Sequence, residues 1–214
     1  MRNPSALLFV LFALGFAQGL SRAETPQVVF STLTSSGGYD YTAAHRISGA
    51  SAFPQGYEAY ACQFIPSASG RLFSIDLGVA YLPWGGPESQ IDVRLSLATG
   101  GLPLSTPALT IGTLTTTIPS GNFGLTTFTP MNEVELVAGT AYWLTLLPHS
   151  DTSASAWYNP SSPINGTFGY TSFGTGQWSM ADGAGMKAFR VSVIPEPAAL
   201  ALFALGCLLM GRRR

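Results

Sequence analysis

The sequence predicts an all-β fold: an antiparallel, jelly-roll-like β-sandwich over residues 24–194, with an N-terminal leader before it and a short apolar helix after it. Three observations carry this. The dominant period between the two ends is two, turn residues punctuate the apolar runs at short intervals, and no helical stripe occurs between residues 24 and 194. Together they predict about nine or ten short strands.

Residues 1–23 read as a secretory signal peptide, with Arg2 in a short basic region, an apolar run from Ala6 to Ala17, and a polar stretch ending Ser21-Arg22-Ala23. The small residues Ser21 and Ala23 suit signal peptidase, with Ala23 the last residue removed. The twelve-residue run would cover only about 18 Å of a roughly 30 Å hydrocarbon core, which argues against a permanent span.

Within the sandwich, "RLFSIDLGVAYL" reads as one strand with Phe73, Ile75, Leu77, Val79 and Tyr81 inward and Ser74, Asp76 and Gly78 outward. "QIDVRLSLA" repeats this with Ile91, Val93, Leu95 and Leu97 inward, opposite Asp92, Arg94 and Ser96. "TAYWLTLL" follows suit with Trp143 in the core, as does "KAFRVSV" with Phe189, Val191 and Val193 inward. The segments "PWGGPES", "TGGLPLSTP", "IPSGNFG", "VAGT" and "SPINGTFG" supply the turns. Cys62 in "YACQF" reads as a small buried strand residue, and with Cys207 in the tail it leaves no disulfide framework for the mature domain.

The last strand is expected to end around Ile194, because Pro195 and Pro197 bracket Glu196 and proline lacks the donor a ladder needs. An apolar run from Ala198 to Met210 follows, short for a full span, and the chain closes on Arg212, Arg213 and Arg214. The order Pro195-Glu196-Pro197, short helix, arginine cluster resembles the PEP-CTERM sorting signal of Gram-negative bacteria, a tail also called the ice-binding protein C-terminal domain. The resemblance covers about the last twenty residues. It implies a transient partner, an integral-membrane transpeptidase of the exosortase type, a membrane-tethered intermediate held by the helix, and a final place on the cell surface or in an exopolysaccharide matrix. It also divides the chain into signal peptide (1–23), ectodomain (24–194) and sorting segment (195–214).

A second resemblance covers residues 57–147. "AYACQF", "FSIDLGV", "IDVRLSLATGGLPLSTPALTIGTL" and "VELVAGTAYWLTL" are similar to the choice-of-anchor ectodomains of bacterial surface proteins, β modules carried in front of different anchoring tails. It implies fold more than activity.

Composition narrows the chemistry. Charged residues make up only 10% of the chain, and residues 24–194 hold five basic residues against ten acidic ones, a net charge of −5 that is the wrong sign for phosphate backbones and argues against a nucleic-acid partner. His45 and His149 stand in polar, loop-like contexts; Asp40 precedes the first by five residues and Asp151 follows the second by two, neither a ligand spacing. No nucleophile elbow, zinc-protease helix, calcium loop or phosphate loop is found, so no enzyme, metal or cofactor is predicted. Glu133 and Glu135 read as a solvated strand face. For sugar binding the candidates are Trp84, in a Pro/Gly loop, and Trp157 with Tyr158, in a Ser-rich one, where flat rings beside polar groups can form a platform. "TIGTLTTTIP" and "GLTTFTP" place threonines at alternate positions, the only hint of an ice-facing array, and Asn165-Gly166-Thr167 reads as a turn.

Overall fold

The computed structural model describes residues 25–34, 38–54, 56–83, 85, 87–103, 108–122, 124–171, 176–183 and 185–195. The predicted signal peptide with Ala23, the platform residue Trp84, and Glu196, Pro197, Cys207 and Arg212 to Arg214 lie outside the described residues. Among the described residues no helix is long and apolar enough to cross a membrane.

The fold is all-β and sandwich-like. In chain order the strands are β1 (Gln27–Ser31), β2 (Tyr39–Ser48), β3 (Tyr60–Phe64), β4 (Gly70–Leu77), β5 (Val79–Tyr81), β6 (Gln90–Leu97), β7 (Leu109–Thr115), β8 (Thr126–Phe128), β9 (Glu135–Leu136), β10 (Tyr142–Pro148), β11 (Ala154–Pro160), β12 (Gly166–Thr171), β13 (Trp178–Gly183) and β14 (Phe189–Pro195). These fourteen exceed the predicted number, and the one helical element among the described residues is a 3₁₀ turn at Ala98–Gly100.

Three sheets form, and every pairing between the named strands is antiparallel. The first runs β1-β14-β4-β8, with β9 also on β4; the second runs β13-β12-β3-β10-β6-β7; the third runs β2-β11-β5. Leu72, Ile75, Leu77, Val191 and Val193 of the first sheet share one buried cluster with Tyr60, Cys62, Phe64, Leu144 and Leu146 of the second. Ile47, Val79 and Trp157 of the third sheet belong to the same cluster, so the third sheet packs against the core that the first two share.

Three features depart from simple alternation. The predicted strand over residues 71–82 is two strands in different sheets, because the chain changes sheet at Gly78. A Cβ there would lie 2.9 Å from that of Ala188 and 3.3 Å from the Tyr39 ring, so only glycine lets these elements approach. Within β4, Val193 pairs with Leu72 and Ser192 with Ser74, which leaves Phe73 as the extra residue of a bulge. The bulge turns Leu72 into the core and Phe73 outward to 46% exposure, the reverse of the expected order. In β6, Ile91, Val93 and Leu95 are buried as expected, but Leu97 at the strand end is exposed and Ser96 is buried on the opposite face. The final strand continues one residue past Ile194, with Pro195 opposite Gly70 at the end of the ladder.

Candidate functional site

Trp157 and Tyr158 form no exposed platform. Trp157 and Tyr158 lie on β11, not in a loop, and are 0% and 3% exposed. Both faces of β11 are covered, one by the main core and the other by side clusters around Tyr39 and Phe53. The Trp157 indole N–H donates to the Ala188 carbonyl at 3.1 Å, and its ring meets Tyr60 edge-on at 6.3 Å. A sugar ring has no access to it. Trp143 is fully buried, as the sequence predicts.

A cleft of about 400 Å³ opens instead where β2 approaches β3 and β12, among Arg46, Glu58, His45, Tyr60, Tyr170 and Thr171. Its rim is an ion pair: Arg46 Nε and Nη2 donate to Glu58 Oε2 and Oε1 at 3.0 and 2.8 Å, a bidentate fork over a carboxylate that is largely buried. Burial raises the Glu58 pKa, and the Arg46 hydrogen bonds and charge oppose that rise. The Arg46 guanidinium also lies 4.7 Å from the Phe53 ring centroid, which fixes its plane.

Tyr60 is the cleft's aromatic floor. Phe168 stacks on it at 5.6 Å and 8°, its hydroxyl donates to the Gly185 carbonyl at 2.9 Å, and the exposed Tyr170 lies beside them. The His45 imidazole sits 4.7 Å from the Tyr60 ring, so that although the residue is exposed one face of it is desolvated. That desolvation, with the charge of Lys187, pushes its pKa down to about 4 and keeps it neutral at pH 7. His45 is thus a strand residue whose neighbours are Tyr60 and Lys187.

Behind Tyr60 lies Lys187, 1% exposed. Its ammonium sits 4.6 Å from the Tyr60 ring centroid and donates to Asn159 Oδ1, while burial pushes its pKa down to about 8. Its backbone N–H donates to Cys62 Sγ at 3.3 Å and its carbonyl accepts from Thr32 Oγ1 at 2.6 Å, tying all three sheets. Cys62 is fully buried as expected, with its thiol pushed up to about 12 by that burial.

The second histidine also finds a partner other than its sequence neighbour. His149 Nδ1 lies 2.7 Å from Asp92 Oδ1, and Thr113 Oγ1 donates to the same oxygen at 3.0 Å. Ser150, next in the chain, donates to Glu88 and not to this pair. Glu133 and Glu135 are exposed, with Glu133 accepting from Arg71 Nη1 at 3.0 Å. The threonine-rich strands β7 and β8 lie in different sheets, and Thr113 and Thr127 spend their hydroxyls on Asp92 and Asp76. A second groove, of about 250 Å³, runs beside Phe73, Met131 and Ile194, where β14 ends.

What the geometry defines is an all-β, sandwich-like domain with a small aromatic cleft between two of its sheets. No protein-family model matches the chain, and no curated protein matches it either.

Proposed function

We propose that this chain is an exported, surface-sorted, non-enzymatic protein whose β domain works at the cell surface or in an exopolysaccharide matrix after the tail has been processed. The observation that carries the reading is the join at Pro195. The last strand runs into Pro195, and the next residues are Glu196 and Pro197, the core of the PEP-CTERM-like signal. A processing enzyme needs extended backbone clear of the ladder, and proline supplies it by ending donation. In this reading signal peptidase cuts after Ala23, and an exosortase-type transpeptidase acts at Pro195 to Pro197 while the apolar segment and Arg212 to Arg214 hold the chain at the membrane. The jelly-roll version of the sandwich and the flanking helix belong to the same proposal.

Intact mass spectrometry of the mature protein tests it. Cells with an active exosortase should yield a species lacking residues 1–23 and the terminal arginines; a mature species retaining Arg212 to Arg214 overturns tail removal.

A second reading, a carbohydrate-binding module, is favoured by the cleft and not by the tryptophans. Tyr170 offers an exposed ring, and the Arg46–Glu58 pair and neutral His45 offer donors and acceptors for hydroxyl groups. A glycan array on residues 24–194, compared with the Tyr170→Ala variant, tests it; equal binding by the two excludes the cleft.

A further inference from the structure

The six-stranded sheet has a second face, turned away from the main core. On that face β6 and β10 place two pairs of residues directly opposite each other, Ser96 with Trp143 and Arg94 with Thr145. Trp143 and Thr145 are 0% exposed and Ser96 is 4% exposed. Four side-chain atoms of this row, Arg94 Nε, Ser96 Oγ, Trp143 Nε1 and Thr145 Oγ1, are buried and have no hydrogen-bond partner among the described residues. Native interiors rarely leave such groups unpaired, and four on adjacent positions is a concentration that asks for an external partner.

The chemistry of that partner follows from the row. The indole N–H and the guanidinium Nε–H can only donate, and the two hydroxyls can donate as well. The row therefore holds two groups that can only donate and two hydroxyls that can donate beside them, at facing positions of two neighbouring strands. Its one full charge is Arg94, whose nearest acid, Asp92, lies at 3.8 Å and already accepts from Thr113 at 3.0 Å and contacts His149 at 2.7 Å. Tyr57 lies within electrostatic reach of both Arg94 and Asp92, and burial raises its pKa. The Arg94 side chain is 34% exposed, which gives the row one end in contact with solvent.

Small residues flank the row on the same face, and they are covered. Thr145 is opposite Ala61, and Ala61 is opposite Gly169, so two small residues adjoin the row. A Cβ at Gly169 would lie 2.5 Å from Pro103 and 3.3 Å from the Trp178 ring, which places Pro103 and Trp178 over this face as a roof.

We propose that this row is a binding site for a carboxylate group, held by Arg94 and Trp143 with the hydroxyls of Ser96 and Thr145 completing its acceptor shell. The group can come from a small free acid or from an acidic sugar; the recognition chemistry is the same.

Indole N–H resonances of uniformly ¹⁵N-labelled protein test the proposal, with the Trp143 peak assigned by its loss in Trp143→Phe. Titration is made separately with acetate, galacturonate, neutral galactose and chloride. The expected result is a saturable shift of the Trp143 peak with acetate, with galacturonate or with both, and none with galactose or chloride. A response to acetate identifies a free carboxylate as sufficient, whereas a response to galacturonate alone identifies an acidic sugar as the source. Arg94→Gln should weaken the effective titrant by about tenfold or more, the loss of a charge-assisted bond. Thr145→Val, which keeps shape and fold, should weaken it less. No shift with either carboxylate, an equal shift with galactose or chloride, or an undiminished response in Arg94→Gln overturns the assignment.

Discussion

On one face of β10, Tyr142, Leu144 and Leu146 interlock with Phe64, Cys62 and Tyr60 of the neighbouring strand, and every atom turned inward is apolar or carries its bond. On the other face Trp143 and Thr145 are buried as deeply, yet their side-chain polar atoms have no partner among the described residues. The strand is the same and the burial is the same. The difference is that apolar packing is satisfied by proximity alone, whereas a polar group needs a partner at the right angle. Burial therefore identifies a core on the first face, and on the second it marks groups that have still to be paired.

The comparison can be broken most sharply on the apolar side. Trp157→Ala removes the largest ring that the third sheet puts into the shared core, and should cost about 3–5 kcal/mol of folding free energy in urea unfolding, enough to threaten the native state. Leu144→Ala, on the apolar face of β10, should cost about 2–5 kcal/mol in the same experiment. Its cross-face neighbour behaves differently. Thr145→Val swaps an unpaired hydroxyl for a methyl of similar shape, and should leave ligand-free stability unchanged or raise it by about 1 kcal/mol. A loss comparable to Leu144→Ala would mean that the hydroxyl is already satisfied, and the contrast between the faces would fall.

The smallest expected effects are in the pH dependence around Tyr60. Lys187 has a folded pKa of about 8 against an ordinary 10.5, so between those values the unfolded chain holds a proton that the folded one has released. Stability from this group therefore rises with pH from about 8 to 10.5, and Lys187→Met should flatten that rise in urea midpoints. His45, folded pKa about 4 against 6.5, acts in the same direction lower down: its contribution is present above 6.5 and is lost as pH falls to about 4. Because His45 is exposed, solvent screening keeps its share the smaller of the two, and His45→Asn should remove it.

The strands legible in the sequence were those whose apolar residues alternate with polar ones, whether or not the polar face is covered. The alternation of β14 matches its burial at Phe189, Val191 and Val193, and that of β6 does so through Leu95. β11 was not legible, because its small residues and aromatics follow no apolar–polar alternation in "ASAWYNP" and its serines suggest a loop. β2 was not legible either, since its alanines and its exposed His45 give no apolar stripe. Of the candidate site, only the aromatic residue types were legible. Arg46 and Glu58 are twelve positions apart and meet through strand packing that no local pattern encodes.

By itself the sequence determined the all-β class, the burial of Cys62 and Trp143, and where the last strand gives way to proline, because alternation, turn residues and the missing proline donor act over a few residues. Tertiary structure alone decided which way Phe73 points, that Trp157 is core and not platform, that Tyr60, His45 and Lys187 share one environment, and that four polar atoms on the far face of β6 and β10 lie without a partner among the described residues. Those outcomes depend on register shifts, on which sheet a strand joins and on what covers its second face, and each is set by residues far away in the chain.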